Sequence, residues 1–409
     1  MCWASTWWAT PYARRTIPAF AGRKHEPRST ADRGGISVTT AELRIKTRLV
    51  VIDEEVRKTV LEVLERTPYY AGPETAAFEA ELAAYCGVRR GVAANSGTSC
   101  LLLALLARGI GRGDEVILPS NTFVSVPECV LFAGATPIFT DVESDGNLSR
   151  AIVERHLSPR TRAVIPVHMF GHPVDMDPII DLARERGLYV IEDAAHALGA
   201  RYKGRRAGSL GHVGFFSFAG KSITVCGQAG MAVTNDAALA DAMAGLRVHG
   251  WDQEVGNVWH VAERVGLNLR TSELHPAIGR VHLRRLDGWT ETRASHATRY
   301  TARLSAGGAP VVLPTTRPDQ EPGWLHYVIR APRRDALRAF LRDEGIETGV
   351  HYPVPLHLQP AFQAFAPDPS AFPVTDAMAA EMLTLPSHPW MSDHDVDVVA
   401  DAVLSFYRR

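Results

Sequence analysis

Two short apolar runs decide the fold: Leu-Tyr-Val-Ile-Glu-Asp-Ala-Ala-His at residues 188–196 and Val-Gly-Phe-Phe-Ser-Phe-Ala-Gly-Lys at residues 213–221. The first run ends in a carboxylate, Asp193, and the second leads to a lysine, Lys221. Short apolar runs bounded by glycine are typical of buried parallel strands. Because ligands bind at the carboxyl ends of such strands in open α/β sheets, we expect Asp193 and Lys221 to face one crevice.

A carboxylate and an amine at one sheet edge suit pyridoxal phosphate. This cofactor needs a lysine amine to form a Schiff base and a carboxylate that keeps its ring nitrogen protonated. Each residue also has an ordinary interpretation, since an aspartate at a strand end often caps a turn and a lysine there is usually solvated. The pair alone leaves both interpretations open, and the rest of the chain must supply a phosphate site and a ring-stacking group.

The composition is that of a globular protein. The chain has 409 residues, of which 46% are hydrophobic and 22% charged, and its net charge is −1. The charge balance and the lack of a basic block argue against a nucleic-acid partner. No apolar run approaches the ~20 residues of a membrane span. The five cysteines form no Cys-x-x-Cys pair, so we predict neither a disulfide framework nor a metal site and expect a cytoplasmic protein.

The apolar pattern predicts a large domain over residues 39–290 and a small α+β domain over 291–409. In the large domain strands alternate with helices, which predicts an α/β fold whose sheet has helices on both faces. The elements expected near and beyond the boundary are helices over 274–286, 334–343 and 393–406 and strands over 325–330 and 348–352.

Residues 1–38 form a predicted N-terminal extension with three tryptophans and little periodicity. Arg14-Arg15 precedes an apolar stretch that is short and broken by Pro18, so we do not interpret it as an export signal. A disordered arm, a start assigned too early and a segment packed on a partner subunit remain open alternatives.

A candidate phosphate site lies at Ser96-Gly97-Thr98-Ser99, just before an apolar helix. Free N–H groups and the helix dipole favour an anion at such a helix start. The same residues are ordinary helix caps, so both interpretations stay open. Phe123 follows another strand and can stack on a flat ring or belong to the core. The glycines of 109–113 lack dinucleotide-binding spacing and indicate a turn.

Together these motifs resemble those of the DegT/DnrJ/StrS-type sugar aminotransferases, which are fold-type I pyridoxal phosphate enzymes. The resemblance covers roughly Arg48 to the C-terminus and implies a mostly parallel central sheet. It assigns Lys221 to the Schiff base, Asp193 to the ring nitrogen and His196 to the vicinity of the ring hydroxyl. Its other implied cofactor residues are Gly97, Thr98, Ser99 and Ser217 at the phosphate and Phe123 on the ring.

The resemblance also implies a substrate site and a second subunit. Asn268 matches a residue that contacts the phosphate of the partner's cofactor, which requires a homodimer with shared active sites. Arg270, His351, Tyr352 and His357 match positions that bind the substrate. No metal is implied.

One departure from the family pattern follows the lysine. The usual Gly-Glu-Gly-Gly is replaced by Gly227-Gln228-Ala229-Gly230, which affects the expected substrate more than the cofactor. Relatives that dehydrate sugars carry His in place of the lysine, so Lys221 favours amino transfer. We therefore expect an aminotransferase that moves nitrogen from Glu or Gln to a keto-sugar, nucleotide-linked by resemblance. The alternatives are a keto-cyclitol acceptor, dehydration, and a non-enzymatic regulator that binds the cofactor.

Overall fold

The computed structural model describes residues 43–66, 69–251, 262, 264–366 and 368–409. The predicted extension 1–38 lies outside the described residues. The α-helices are α1 (Glu54–Leu64), α2 (Pro73–Cys86), α3 (Gly97–Arg108), α4 (Ser125–Phe132), α5 (Arg150–Arg155), α6 (Met176–Arg186), α7 (Ala237–Leu246), α8 (Leu274–Leu283), α9 (Leu286–Ala306), α10 (Arg334–Asp343), α11 (Pro373–Glu381) and α12 (Asp393–Arg408).

The strands form a large sheet and two small ones. The strands are β1 (Arg90–Ala94), β2 (Glu115–Pro119), β3 (Thr136–Thr140), β4 (Thr161–Val164), β5 (Tyr189–Asp193), β6 (Arg201–Tyr202), β7 (Arg205–Arg206), β8 (Val213–Ser217), β9 (Gly230–Thr234), β10 (Gln320–Glu321), β11 (Tyr327–Arg330) and β12 (Met382–Leu385). The seven-stranded sheet has the order β1-β9-β8-β5-β4-β2-β3. Only the pairings of β9 with its two neighbours are antiparallel in this sheet.

Both faces of the large sheet are covered. Successive side chains of a strand point to opposite faces, and in β8 Phe215 packs into one hydrophobic cluster while Phe216 packs into another. The first cluster joins the sheet to α3, α4 and α7, and the second joins it to α2 and to the start of α9. The predicted α/β class with a mostly parallel sheet and helices on both faces is confirmed.

The C-terminal part has its own hydrophobic cluster. It is formed by α9, α10 and α12 with the antiparallel pair β11 and β12. The helix predicted over 334–343 matches α10, and α12 begins at the predicted residue 393. The predicted division at residue 290 falls within α9 and stays a prediction.

The predicted strand over 348–352 is wrong. This segment makes only an isolated bridge between Gly349 and Thr384, and β12 takes the place beside β11. The run of Thr, Val and Tyr has strand propensity, but β-propensity depends strongly on context. The segment is instead the start of the loop that carries His351 and Tyr352.

None of the helices in the described part of the chain combines the length and the hydropathy that a bilayer crossing requires.

Candidate active site

Four loops converge at one edge of the large sheet. Strands β1 and β8 are both antiparallel to β9 and therefore run in the same direction. Strand β8 is parallel to β5, and the parallel pairings continue through β4 to β2. The carboxyl ends of β1, β2, β5 and β8 consequently lie at the same edge, which is where α/β proteins bind their ligands.

A cavity of about 460 Å³ opens at this edge. Its volume is in the range of small-molecule sites. It brings together most of the residues that the sequence singled out. The residues from that set which line it are Gly97, Thr98, Phe123, Asp193, His196, Ser217, Lys221, His351 and Tyr352. It is also lined by residues that the sequence argument did not select, among them Arg48, Thr122 and Ser125.

Asp193 and Lys221 lie in the same cavity, as the two apolar runs predicted. Asp193 ends β5 and is buried, and its Oδ1 accepts one hydrogen bond, from the N–H of Ala195 at 3.0 Å. Burial raises the pKa of Asp193 to about 6, although this hydrogen bond and the charge of Lys221 oppose the shift. Burial lowers the pKa of Lys221 to about 8, against the attraction of Asp193. Both groups are thus poised to exchange protons near neutral pH.

His196 contacts the lysine directly. Its Nε2 lies 2.8 Å from Nζ of Lys221, and its Nδ1 is buried without a hydrogen-bond partner in the described part of the chain. Burial holds the pKa of His196 well below its ordinary value, and the nearby Lys221 charge adds to the effect. The imidazole is therefore neutral, and Nε2 can accept a hydrogen bond from the Lys221 amine.

The histidine belongs to a cluster of three rings. The ring of His326 is 5.3 Å from that of His196 and stacks on His351 at 4.4 Å. His326 is buried, and Nδ1 of His351 lies 3.0 Å from the hydroxyl of Thr384. Burial lowers the pKa of each of these histidines, that of His351 to about 4. The cluster forms an uncharged wall beside the lysine.

The start of α3 is capped by a serine and also lies at the cavity. The Ser96 hydroxyl accepts from the N–H of Ser99 at 3.0 Å and so caps the helix. The first-turn N–H groups of Gly97 and Thr98 have no intrahelical acceptor and lie at the cavity. A Cβ at Gly97 would lie 2.9 Å from Cβ of Ser217, so glycine is required for the helix start to reach the end of β8.

Two side chains of the β2–α4 loop face the cavity. Phe123 has 52% of its surface exposed, and its ring centroid is 6.0 Å from that of Tyr352. Phe123 is therefore not a core residue, and its stacking on a ligand stays a prediction. The adjacent Thr122 Oγ1 is buried and has no hydrogen-bond partner among the residues that the structure describes. A buried hydroxyl without a partner at a cavity wall indicates a polar ligand there.

Four predicted site residues do not line the cavity. The Ser99 hydroxyl donates to Asn95 Oδ1 at 2.5 Å, so it is engaged within the protein. Asn268 is exposed outside the cavity and accepts a hydrogen bond from Arg270 Nε at 3.2 Å. Arg270 also lies over the ring of Tyr70. The fourth residue is His357.

His357 is fully buried. Its Nδ1 lies 2.8 Å from the hydroxyl of Ser120, its Nε2 is 3.2 Å from Asp376, and its ring stacks on Phe372 at 4.0 Å. These contacts fasten the C-terminal loop to the end of β2. The sequence could not separate His357 from His351, because both are histidines of one Pro-rich loop.

Two residues of the site region, Arg48 and His326, were not predicted from the sequence. Arg48 precedes the first helix by six residues, and His326 lies more than a hundred residues beyond the lysine. Neither stands in a motif, and only the distant chain contacts bring them to the site. Gln228, the departure noted after the lysine, does line the cavity.

Comparison with known proteins gives one consistent result. The sequence model of the DegT/DnrJ/EryC1/StrS aminotransferase family matches residues 50–404. The chain is 40% identical over 369 residues to the dTDP-3-amino-3,4,6-trideoxy-alpha-D-glucose transaminase of Streptomyces venezuelae, a match that covers 90% of this chain and 96% of the relative. It is 42% identical to the erythromycin biosynthesis sensory transduction protein EryC1 of Saccharopolyspora erythraea, with 81% and 89% covered.

A solved structure agrees. The crystal structure of S. venezuelae DesV in complex with a ketimine intermediate superposes with a TM-score of 0.83 at 41% sequence identity. The superposition covers 87% of this chain and 95% of that one.

Proposed function

The chain belongs to the DegT/DnrJ/EryC1/StrS aminotransferase family, and we propose that it transfers an amino group from glutamate or glutamine to a nucleotide-linked keto-sugar. It is a pyridoxal-phosphate-dependent aminotransferase of amino-sugar and antibiotic biosynthesis. The observation that carries the proposal is the shared cavity of Asp193 and Lys221, beside the start of α3.

The cavity fits pyridoxal phosphate. Its donor set matches the cofactor's chemistry, since a buried carboxylate, a lysine amine and a helix start with free N–H groups face one space. Among the described residues, the Thr122 hydroxyl has no hydrogen-bond partner and the Asp193 carboxylate accepts one hydrogen bond. Both side chains can therefore form further hydrogen bonds to a ligand. When bound, pyridoxal phosphate supplies an electron sink that stabilises negative charge on the carbon bearing the nitrogen.

We assign the cofactor residues by these positions. The N–H groups of Gly97 and Thr98 and the hydroxyl of Ser217 would hold the phosphate, Phe123 would cover one face of the ring, and Asp193 would pair with the ring nitrogen. A positively charged ring nitrogen favours the ionised form of Asp193 and so offsets the burial that raises its pKa.

Lys221 is the group that takes up and returns the proton of the carbon that bears the transferred nitrogen. Because burial lowers its pKa to about 8, a useful fraction of Nζ is the neutral amine near neutral pH and can act as a general base. His196 Nε2, at 2.8 Å, accepts a hydrogen bond from this amine and orients it. Because the imidazole is neutral, it adds no positive charge that would oppose protonation of Nζ.

The substrate side is assigned to His351 and Tyr352, which line the cavity. Their ring nitrogen and hydroxyl can hydrogen-bond to the hydroxyls of a sugar. Similarity to a dTDP-amino-sugar transaminase supports a nucleotide-linked acceptor. A keto-cyclitol, with its similar ring of hydroxyls, is the alternative acceptor.

We further propose a cytoplasmic homodimer. The exposed position of Asn268 outside its own cavity is the one expected for a residue that reaches a partner's cofactor. Arg270 would hold Asn268 through the hydrogen bond between them. The free thiols of Cys86, Cys100, Cys129 and Cys226 support a reducing compartment.

Absorbance of the bound cofactor tests the donor half of the reaction. The loaded protein is mixed with L-glutamate or L-glutamine, and the visible band and the released oxo acid are measured. We expect the band to disappear with stoichiometric oxo-acid formation. A band that persists with both amino acids would contradict the proposed donor.

The sugar half is tested in reverse with dTDP-3-amino-3,4,6-trideoxy-α-D-glucose and other nucleotide-linked amino sugars. Loss of the same band with formation of a keto-sugar supports the acceptor class. Release of an unsaturated or deoxygenated sugar without transfer of nitrogen would instead assign the protein to dehydration.

A further inference from the structure

An amino-acid donor brings a negative charge into the cavity beside Lys221. Its α-carboxylate is attached to the carbon that bears the transferred nitrogen, so the carboxylate must bind close to the lysine. A carboxylate that leaves water needs a cation or several hydrogen-bond donors. This inference rests on the proposed function and asks which residue provides that cation.

Among the described residues that line the cavity, Arg48 and Lys221 are the only lysine or arginine side chains. Lys221 is occupied with the nitrogen chemistry. The neighbouring His196 and His351 are not cations near neutral pH, because burial lowers the pKa of both, that of His351 to about 4. Arg48 is therefore the permanent cation that the described part of one protomer offers to a ligand in its own cavity.

The segment before Arg48 is fixed to the C-terminal part of the chain. The N–H groups of Arg44 and Ile45 donate to the carbonyl of Gly345, at 2.8 and 3.2 Å. The N–H and the hydroxyl of Thr47 both donate to Glu347 Oε2, at 2.7 and 2.8 Å. The backbone is thus anchored up to the residue that enters the cavity.

The Arg48 guanidinium lies against the residue next to the lysine. A Cβ built on Gly220 would be 2.9 Å from Nη1 of Arg48. Arg48 lines both the active-site cavity and a second, smaller cavity, and Lys221 also lines both. Within the described residues no carboxylate is close enough to form an ion pair with it. Its charge also contributes to lowering the pKa of Lys221 and His351.

We propose that Arg48 binds the α-carboxylate of the amino donor. The planar guanidinium can form two parallel hydrogen bonds to a carboxylate, which fixes the orientation of the amine. A nucleotide diphosphate is a less suitable ligand for Arg48, because it is separated from the reacting carbon by part of the sugar ring. Arg48 is thus a specificity residue for the donor half of the reaction.

The test compares Arg48→Met, Arg48→Lys and a matched control, Lys46→Met. Lys46 is an exposed cation in the same segment that does not line the cavity. Single-turnover loss of the visible band is measured against concentration for L-glutamate and L-glutamine, and dTDP inhibition is measured in parallel. Cofactor content and the unfolding temperature show that each variant is folded and loaded.

We expect Arg48→Met to raise the half-saturating concentration of both donors by roughly 10- to 100-fold, the equivalent of one charge-assisted interaction. Arg48→Lys should lose less, since it keeps the charge without the paired geometry, and Lys46→Met should behave as wild type. An equal effect on glutamate and glutamine identifies the α-carboxylate, which the two donors share.

Three outcomes would overturn the assignment. A loss confined to glutamate would place the side-chain carboxylate on Arg48 instead. Unchanged donor constants with weaker dTDP inhibition would assign Arg48 to the nucleotide, and unchanged constants throughout would leave it no substrate function. A wild-type protein that reacts with neither donor would refute the proposed function itself, which the variants do not address.

Discussion

Two neighbouring carboxylates of β5 have opposite environments. Glu192 has no exposed surface and accepts hydrogen bonds from His168 Nε2 at 2.9 Å and from the N–H groups of Gly208 at 2.8 Å, Leu210 at 2.5 Å and Gly211. Asp193 is also buried, but from the residues that the structure describes it accepts one hydrogen bond, from the N–H of Ala195. Alternation along a strand explains the difference, since one side chain points to a loop and the next to the cavity.

The comparison distinguishes a carboxylate that stabilises the fold, Glu192, from one that is available to a ligand, Asp193. Glu192 has its hydrogen-bonding capacity filled and holds the 208–211 loop against the sheet. Asp193 remains under-satisfied in the protein alone, and burial raises its pKa to about 6. A protein tolerates such a group where a ligand completes it. The two residues therefore predict different phenotypes for the same chemical change, replacement by the amide.

The largest effect is expected for Asp193→Asn. The amide cannot stabilise a charged ring nitrogen, so amino transfer should fall by roughly 10²- to 10⁴-fold, the range of a lost proton-transfer or charge partner. The rate of the donor half-reaction measures it. Activity within a few-fold of wild type would show that Asp193 does not contact the cofactor.

Glu192→Gln should instead affect folding. The amide nitrogen faces backbone N–H donors and leaves them unsatisfied, so we expect the free energy of unfolding to fall by about 2–4 kcal/mol. Denaturant unfolding of the cofactor-free protein measures this loss. The residual activity per folded, loaded molecule should stay near that of wild type, and a selective loss of catalysis would break the distinction between the two carboxylates.

The pH dependence of stability provides a third test. Because the folded pKa of Asp193, about 6, is above its ordinary value of 3.8, the folded state binds the proton more tightly than the unfolded state. The stabilisation is complete below the unfolded pKa and is lost as pH rises from about 4 to about 6, up to about 3 kcal/mol. Carboxylates with lowered pKa values, such as Glu115 and Asp397, change the stability in the opposite direction, because the stability that they contribute is lost as pH falls below their ordinary pKa values. The quantity to measure is therefore the difference in stability between wild type and Asp193→Asn.

In the cofactor-free protein, that difference should favour the variant increasingly as pH rises to about 6 and then stay constant. At pH 7 Asp193→Asn should thus unfold at higher denaturant concentration than wild type. A variant that is less stable at pH 7 would mean that the carboxylate is well compensated without a ligand.

The smallest effect concerns two histidines of one loop, which extend the comparison. His351 lines the cavity, whereas His357 is buried against Ser120. Ser120→Ala removes this hydrogen bond and should lower the free energy of unfolding by about 1 kcal/mol, with half-saturating substrate concentrations unchanged. His351→Asn is the matched control. It should leave the free energy of unfolding nearly unchanged and raise the half-saturating concentration of the sugar substrate. If Ser120→Ala changed the half-saturating concentration of the sugar, His357 would have a function in substrate binding after all.

Local patterns predicted the elements well where they were strong. The apolar runs gave β5 and β8, and the periodicity gave α10 and the start of α12. The strand expected over 348–352 failed, because pairing with β12 and not propensity decided which segment joins β11. Helix α9 was missed as well, since its polar sequence shows a weak periodic pattern.

The sequence by itself determined the α/β class, the family and the placement of Asp193 and Lys221 in one cavity. These features depend on short-range patterns. Each apolar run forms a strand that is followed by a carboxylate or an amine, and the parallel sheet brings the carboxyl ends of the strands to one edge. Only the tertiary structure decided that Arg48 lines the cavity and that His326 packs between His196 and His351. It also decided that Ser99 and His357 do not line the cavity, and that Glu192 accepts more hydrogen bonds than Asp193. Those outcomes depend on contacts between residues far apart in the chain, which no local pattern records.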